Sequence, residues 1–597
     1  MYVTISGKDK YRVIQFREDT RIPGTTKRKA HVVKTIGNYE QLLAENPNIL
    51  EELKEEAKRL TLAKKASSAP VTLEVSSGEI LDTADVVPSY YFGHALVLQL
   101  WNKLKLEGFF AERSGKRDAQ KVIEAIFYLL LHRCGEPSSI LASANEQASY
   151  AGLNDIKLDR LYDVLDVLDI SKDPLIAHLA KFFEKNTDRQ SGRAYYDVTT
   201  YAFESTRWGE LRMFGFSKDH KNNEVQVVMG LLIDNNGIPV TYELFPGNTM
   251  DQTTLIQSVN RLKELYRMEK ITVVADRGLN GGANLEYLYS NGHDFVISCT
   301  LKKSSQEFKE MVWEEKGWTT TMDKETGEIL TKAKVLKQDL KIKVPVAVEE
   351  IPQEDGKKRG RPRKHDLKKV PVKVHLTWSA KRAAKDRSDR ERMLERLNKK
   401  LEQLNKKLEH PYQLKASVKR GVNQFLEMEL ETENWKLSEE KIREAERYDG
   451  YYAVITNNLD LSTKEVTEIY RGLWKIEESF RILKSDIKAC PVFVWSDEHI
   501  RGHFALCFLA LSMMRYAQHL LMQSGHEAVS AATLMDAIRE PLVLVQGDYP
   551  KVVVTPTRVN QTYLELSSLL GMPSLRKNMT LTQFRSSTKL DLTKNLK

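Results

Sequence analysis

The spacing of apolar positions changes several times along this chain, and each change predicts a change of element. Within residues 1–38, MYVTI, YRVIQF and AHVVKTI alternate apolar and polar positions and are rich in β-branched side chains, with charged, Gly- and Pro-containing turns between them. That pattern predicts strands. From Tyr39 to about Lys65 the spacing is helical, so residues 1–66 read as an N-terminal β-hairpin and helix region. Residues 67–89 are small, polar and punctuated by Pro, and read as a linker or extended arm. Residues 90–188 then carry the runs FGHALVLQLWNKLKL, QKVIEAIFYLLLHR, LDRLYDVLDVLDI and PLIAHLAKFFEK, which predict a helical domain.

The period drops to two over residues 189–301. RAYYDVTTYAFE (193–204), EVQVVMGLLI (224–233) and PVTYELF (239–245) predict three successive strands, and the DNNG turn between the last two suits a hairpin. ITVVADRG (271–278) is a short, continuous apolar run, as expected of a strand buried on both faces, and FVISCT (295–300) follows as a fifth strand. The pattern then breaks for residues 302–448. This stretch mixes β-like pieces with charged runs and carries leucines at 394, 397, 401, 404 and 408 in a three-four rhythm, which reads as a helical hairpin arm or a short coiled coil. DGYYAVITN (449–457) restores the strand pattern, and a helix over Tyr470–Lys484 follows within the segment 449–525. Residues 526–597 predict a helix, a hairpin, a further helix and a loosely ordered tail after Lys577.

Composition narrows the class. At 597 residues the chain exceeds one ordinary core, and 41% apolar with 29% charged content is that of a soluble multidomain protein. The net charge of +9 permits an anionic partner without requiring one. The four cysteines, Cys134, Cys299, Cys490 and Cys507, are widely spaced, which argues against a disulfide framework or a zinc site and fits a reducing cytoplasm. The N-terminal residues lack the apolar stretch of a signal peptide, and the most apolar run, Phe504–Met514, is too short to span a bilayer and reads as a core helix. No membrane association is expected.

Three acids stand out by context. Asp197 interrupts an aromatic, β-rich strand, where a carboxylate is costly to bury unless it is paired or holds a metal. Asp276 ends a buried strand and precedes a Gly turn and a helix, the position at which α/β sheets place ligands. On a regular helix, Ile469, Leu473, Ile476, Phe480 and Leu483 form one apolar stripe, while Tyr470, Glu477 and Lys484, seven apart, stack in a second beside it, with Trp474 and Arg481 in the gaps.

Tyr470, Glu477 and Lys484 resemble the Tyr-Arg-Glu-Lys signature of a branch of DDE transposases, insertion-sequence enzymes with an RNase H-like core. The stretches FSKDHKNNEVQ (216–226) and PGNTMDQTTL (246–255) resemble family segments as well; Lys218, Asp219 and His220, within the first, are candidates to approach the site, with a polar hairpin rim as the other reading. The resemblance implies a multidomain α/β protein whose RNase H-like mixed sheet is flanked by helices and interrupted by a large insertion, with a helical N-terminal domain that binds transposon ends. A helical packing domain without DNA contact remains open on the residues alone. The resemblance further implies that Asp197, Asp276 and Glu477 are the catalytic, metal-binding acids for two Mg²⁺ or Mn²⁺ ions per site, and that Tyr470 and Lys484 hold a DNA phosphate. The signature Arg position is Leu473 here, with Arg471 and Arg481 as candidates for the missing cation. The expected activity is cut-and-paste transposition, in which a homodimer cleaves inverted-repeat ends by hydrolysis and joins 3′-ends to target double-stranded DNA in the cytoplasm of a bacterial-type cell. A related nuclease or resolvase without strand transfer, and a non-catalytic DNA-binding regulator, are the alternatives.

Within the insertion, KKRGRPRK (357–364) places Arg359, Arg361 and Arg363 around an Arg-Gly-Arg-Pro core similar to an AT-hook, in which Pro keeps the backbone extended while arginines enter a narrow minor groove. A solvated basic linker is the other reading. If the hook binds DNA, Arg361→Ala lowers affinity and reduces the slope of log affinity against log salt by about one phosphate contact. An unaltered salt slope, measured by anisotropy, leaves the linker.

Overall fold

The alternation along the first 38 residues produces β1 (Tyr2–Ser6), β2 (Val13–Arg21) and β3 (Arg28–Asn38), an antiparallel sheet in that order. Asn38 caps α1 (Tyr39–Glu45) by accepting from the amides of Glu40 and Gln41, and α2 (Ile49–Ala66) buries Leu53 and Ala57 with Ile14 and Phe16 of the sheet. These elements form one of two compact units in this computed structural model, Met1–Val86; Val87–Lys597 form the other. The structure describes all residues except 1, 9–10, 22–27, 67–87, 116–117, 190–191, 217–222, 267–269, 346–364, 408–420, 429–434, 548, 550 and 597. Lys218, Asp219 and His220, and the basic run with Arg359, Arg361 and Arg363, lie outside the described residues.

The second unit starts with β4 (Ser89–Tyr91) and six helices: α3 (Ala95–Lys103), α4 (Leu106–Ala111), α5 (Ala119–Cys134), α6 (Ile140–Ala144), α7 (Leu158–Ile170) and α8 (Lys172–Asn186). α5 is apolar nearly all round and is buried from Ala125 to Cys134 without a break, as such a helix must be.

The central sheet then forms from β5 (Arg193–Ala202), β6 (Gln226–Ile233), β7 (Pro239–Pro246), β8 (Thr272–Ala275) and β9 (Asp294–Cys299). Their spatial order is β7-β6-β5-β8-β9; β5, β8 and β9 run parallel, and β5, β6 and β7 pair antiparallel. Parallel neighbours need crossovers, and α9 (Asp251–Tyr266) and α10 (Gly282–Ser290) lie between β7, β8 and β9 in the chain. This is the RNase H-like mixed sheet expected above.

The insertion does not stand apart from that sheet. After α11 (Gln306–Trp313), β10 (Thr319–Met322), β11 (Ile329–Pro345) and β12 (His365–Ser379) form a long antiparallel ribbon, and β12 pairs with β15 (Tyr451–Thr456), which pairs with β9. The result is one nine-stranded sheet, β10-β11-β12-β15-β9-β8-β5-β6-β7. Val370, Val372, Val374 and Leu376 alternate along β12 and all join the core on one face of the sheet. Between β12 and β15 come α12 (Ala380–Lys407), β13 (Leu426–Met428), β14 (Trp435–Leu437) and α13 (Glu439–Glu446). The leucine rhythm is spent within the chain: Leu394, Leu397 and Leu401 pack with Phe425, Leu426, Trp435 and Ala445.

The signature segment is interrupted, unlike the continuous regular helix read from its spacing. It comprises α14 (Thr463–Arg471), closed at its start by a Ser462–Glu465 capping box, then Gly472 and Leu473, α15 (Trp474–Arg481) and a π-helical turn over Ile482–Asp486. α16 (Asp497–Gln523) has 27 residues, so the length argument against a membrane span fails; it is a core helix because 89% of its apolar window is buried inside the protein. α17 (Ala531–Arg539), β16 (Leu542–Gln546), β17 (Val553–Arg558), α18 (Gln561–Leu569) and α19 (Leu581–Thr588) complete the unit, with β16 pairing both β17 and β4. The tail is ordered, contrary to expectation. A Thr580–Gln583 capping box starts α19, and the Asn595 side chain accepts from Gly152 N and donates to Tyr150 O.

Two cores result. One face of the sheet packs on α9, α10 and α11. The other joins the helices of residues 95–183, the signature helix, α16 and the C-terminal elements in a single cluster. That second core holds His94, His132 and His503, whose burial lowers their pKa to about 4, about 4 and about 3. Between pH 6.5 and those values the unfolded chain binds protons that the native chain refuses, so stability falls as acid is added. Each site removes up to about 1.4 kcal/mol per pH unit over that range. Thermal denaturation is therefore expected to show a falling melting temperature from pH 6.5 towards 4, and a flat profile contradicts this.

Candidate active site

β5 and β8 set the geometry. Their parallel register pairs Arg193 with Thr272, Ala194 with Val273 and Tyr195 with Val274. Continued at the same offset, it sets Asp197 level with Asp276, on strands about 4.8 Å apart. The faces follow from the period of two. Tyr195 and Val274 belong to the core that contains Ile476 and Phe480 of α15, whereas Ala194, Tyr196, Val273 and Ala275 belong to the opposite core. Asp197 and Asp276 have the parity of Tyr195 and Val274, and Asp276 keeps an extended backbone, so both lie on the face covered by the signature helix.

That helix approaches β5 closely because Gly472 carries no side chain: a Cβ there would stand 2.3 Å from the Tyr195 hydroxyl. Leu473, in place of the signature Arg, is buried in the core with Ile469, Ile476, Phe480 and Leu483. Its role is packing.

Asp276 is exposed and held by two donors on one oxygen. Ser298 Oγ donates to Oδ1 at 3.0 Å and the Tyr470 hydroxyl donates to it at 3.3 Å. Among the described residues Oδ2 accepts no hydrogen bond. Burial raises the pKa of the Tyr470 hydroxyl, and the Asp276 charge adds to this, so the hydroxyl remains a donor throughout the neutral range. The Tyr452 ring lies 5.5 Å from that of Tyr470, and the Arg382 guanidinium of α12 sits 4.4 Å over Tyr452. Asp197 Oδ1 accepts from the amide of Val198 at 2.7 Å.

Asp276 and Glu477 line a cleft of about 1520 Å³ between the sheet, α12 and the signature helix, with Arg277, Lys381, Arg382 and Arg471 among its cations. Asp197 does not line this cleft. Among the described residues no three His, Cys, Asp or Glu side chains come close enough to share a metal ion. The backbone brings the two aspartates together, while their oxygens turn to local donors. Lys484, on the π-turn, lies with its Nζ 5.6 Å from the Tyr201 ring of β5. Arg481 bonds Asp486 at 3.2 Å and lies 3.8 Å from Glu478.

Ser298, Tyr452 and Arg382 were not singled out from sequence. Strand parity could have found the first two, since Ser298 shares a face with Val296 and Tyr452 with Val454, but only once β9 was known to adjoin β8 and β15 to adjoin β9.

The transposase DDE domain family model matches residues 196–513. A cryo-EM structure of a piggyBac transposase synaptic complex with hairpin DNA aligns at a TM-score of 0.33 and 8% identity, covering 85% of this chain and 83% of that one. No curated protein matches the chain.

Gly472 offers a test of the helix seating. Gly472→Ala forces Tyr195 or the helix to move, an overpacking loss of about 1–3 kcal/mol. Thermal melting at neutral pH is expected to shift down accordingly; an unchanged midpoint means that the helix does not lie this close to β5.

Proposed function

The chain belongs to the transposase DDE domain family, and on that premise we propose that it is a cut-and-paste DNA transposase. It binds inverted-repeat ends as a homodimer, cleaves them by hydrolysis and joins the 3′-ends to target DNA by transesterification, in the cytoplasm of a bacterial-type cell. The observation that carries the reading is the β5–β8 register, which sets Asp197 beside Asp276 on the face crossed by the helix of Glu477.

Family membership implies a divalent metal. The donor chemistry fits: three carboxylates are hard oxygen ligands of the kind Mg²⁺ and Mn²⁺ take, and Asp276 keeps Oδ2 available while Ser298 and Tyr470 fix Oδ1. Asp197, Asp276 and Glu477 would hold the metal, two ions per site. When bound, it supplies Lewis-acid stabilisation of the phosphoryl oxygens and lowers the pKa of the attacking water or 3′-hydroxyl.

The chain's own residues position the substrate. Lys484 offers a point charge to a backbone phosphate, and Tyr470 keeps both its hydroxyl proton and its hold on Asp276. Arg471, exposed on the cleft wall, takes the part of the signature Arg better than Arg481, which already engages Asp486 and Glu478. The cleft cations neutralise the phosphates of the strand leading away from the site.

Asp197→Asn is expected to abolish cleavage of a duplex carrying the element's end while binding to that duplex persists, read by gel assays on the same preparation. Cleavage at the wild-type rate removes Asp197 from the site. With a pre-cut end, the wild-type chain is expected to yield joined products; hydrolysis alone would make it a nuclease.

A further inference from the structure

The segment from Phe203 to Phe216, between β5 and β6, is pinned along its length and yet presents aromatic rings to water. Gly209 N donates to Arg212 O at 2.9 Å and Gly247 N to Leu211 O at 3.0 Å. Met213 and Gln226 exchange two backbone bonds, and Leu211 N reaches Asp497 Oδ1 at 3.3 Å. Gly215 passes so near the Gly247 carbonyl that a Cβ would stand 2.0 Å from its oxygen. On this fixed backbone Trp208 is 72% exposed, Phe216 83% and Phe214 46%. The segment after the π-turn adds Phe493 at 56% and Trp495 at 48%.

Arg212 ties the two segments together. Its guanidinium lies 5.4 Å from the Trp495 ring, and its buried Nε has no hydrogen-bond partner among the described residues. A donor in that position calls for an acceptor, and rings of this size are not normally left in water unless something covers them. The pinned backbone prevents the segment from folding them inward.

The place in the fold says what covers them. β5 runs from Asp197 to Ala202 and directly into this segment, about 17 Å of strand. Val198–Tyr201 of that strand are buried, with Tyr201 packed on Phe504, and the Lys484 Nζ lies 5.6 Å from the Tyr201 ring. A strand of nucleic acid passing over the buried strand from the acids to the rings would meet this cation. Glu204, Glu210 and Asp486 offset all but one of the cations Arg207, Arg212, Lys484 and Lys488 in these segments and the π-turn, so the surface carries little cationic excess for tracking duplex phosphates. Flat rings beside a guanidinium suit the π-faces of bases.

We propose that the Trp208–Phe216 segment, with Phe493, Trp495 and Arg212, is a stacking platform for unpaired DNA bases next to the cleavage site. This rests on the DNA reading above and adds to it a surface for single-stranded substrate. The rings take bases of any sequence, and Arg212 Nε donates to a phosphate or base oxygen of the same strand.

The test is fluorescence anisotropy on the full chain with labelled oligo(dT) and with a duplex, each about 20 nucleotides long. Trp208→Ala with Phe216→Ala is expected to weaken oligo(dT) binding by roughly five- to a hundredfold, leave duplex binding within about twofold, and keep the melting temperature, since both rings are exposed. Trp208→Phe keeps a ring and is expected to retain most of the affinity. Equal loss on both probes, or no loss on oligo(dT), overturns the platform; so does a change in sedimentation of the double variant alone, which would assign the rings to a second copy of the chain. If the wild-type chain binds neither probe, the DNA reading itself fails; if it binds both and the variants match it, only the platform falls.

Discussion

The parallel pairing of β5 with β8 is the constraint on which the site depends. A parallel neighbour cannot be reached by a tight turn, so the chain builds β6, β7 and α9 before it returns. That detour separates Asp197 and Asp276 widely in sequence while the register keeps them level. Period two then gives both acids one face, and the apolar stripe of the signature helix closes that face. Glu477 is carried in by the packing of Ile476 and Phe480 rather than by any attraction of its own.

The insertion is coupled to this arrangement through the sheet. Because β12 pairs with β15 and β15 with β9, the insertion's strands continue the sheet of the acids. β15 brings Tyr452 against Tyr470, and α12 brings Arg382 over Tyr452. A chain of contacts therefore runs from the insertion helix to the hydroxyl that holds Asp276. The same helix walls the cleft, so one element both shapes the substrate groove and steadies an acid.

Local patterns made much of this legible. The strands β5 to β9 and β15 announce themselves by alternation or by continuous apolar runs, and the two Asp positions are visible as anomalies within them. What sequence could not give is pairing. The valine at every second position along β12 is plain in VPVKVH, yet nothing local says that this ribbon joins the sheet of the acids instead of forming a separate domain. Nor does spacing reveal the close approach at Gly472 or the π-turn that carries Lys484, because the first answers to the Tyr195 hydroxyl on another strand. The ordered tail was readable in part: Thr580 and Gln583 stand at capping-box spacing, a local signal, whereas the Asn595 contacts with Gly152 and Tyr150 are tertiary.

The claim that two aspartates and a glutamate from distant parts of the chain form one cation site is tested most directly by anomalous diffraction from crystals of the full chain soaked in Mn²⁺. The account predicts anomalous density between the carboxylates of Asp197 and Asp276 with Glu477 in reach, and its loss in crystals of Asp276→Asn. Density confined to other carboxylates, with these three side chains unmoved, would contradict it.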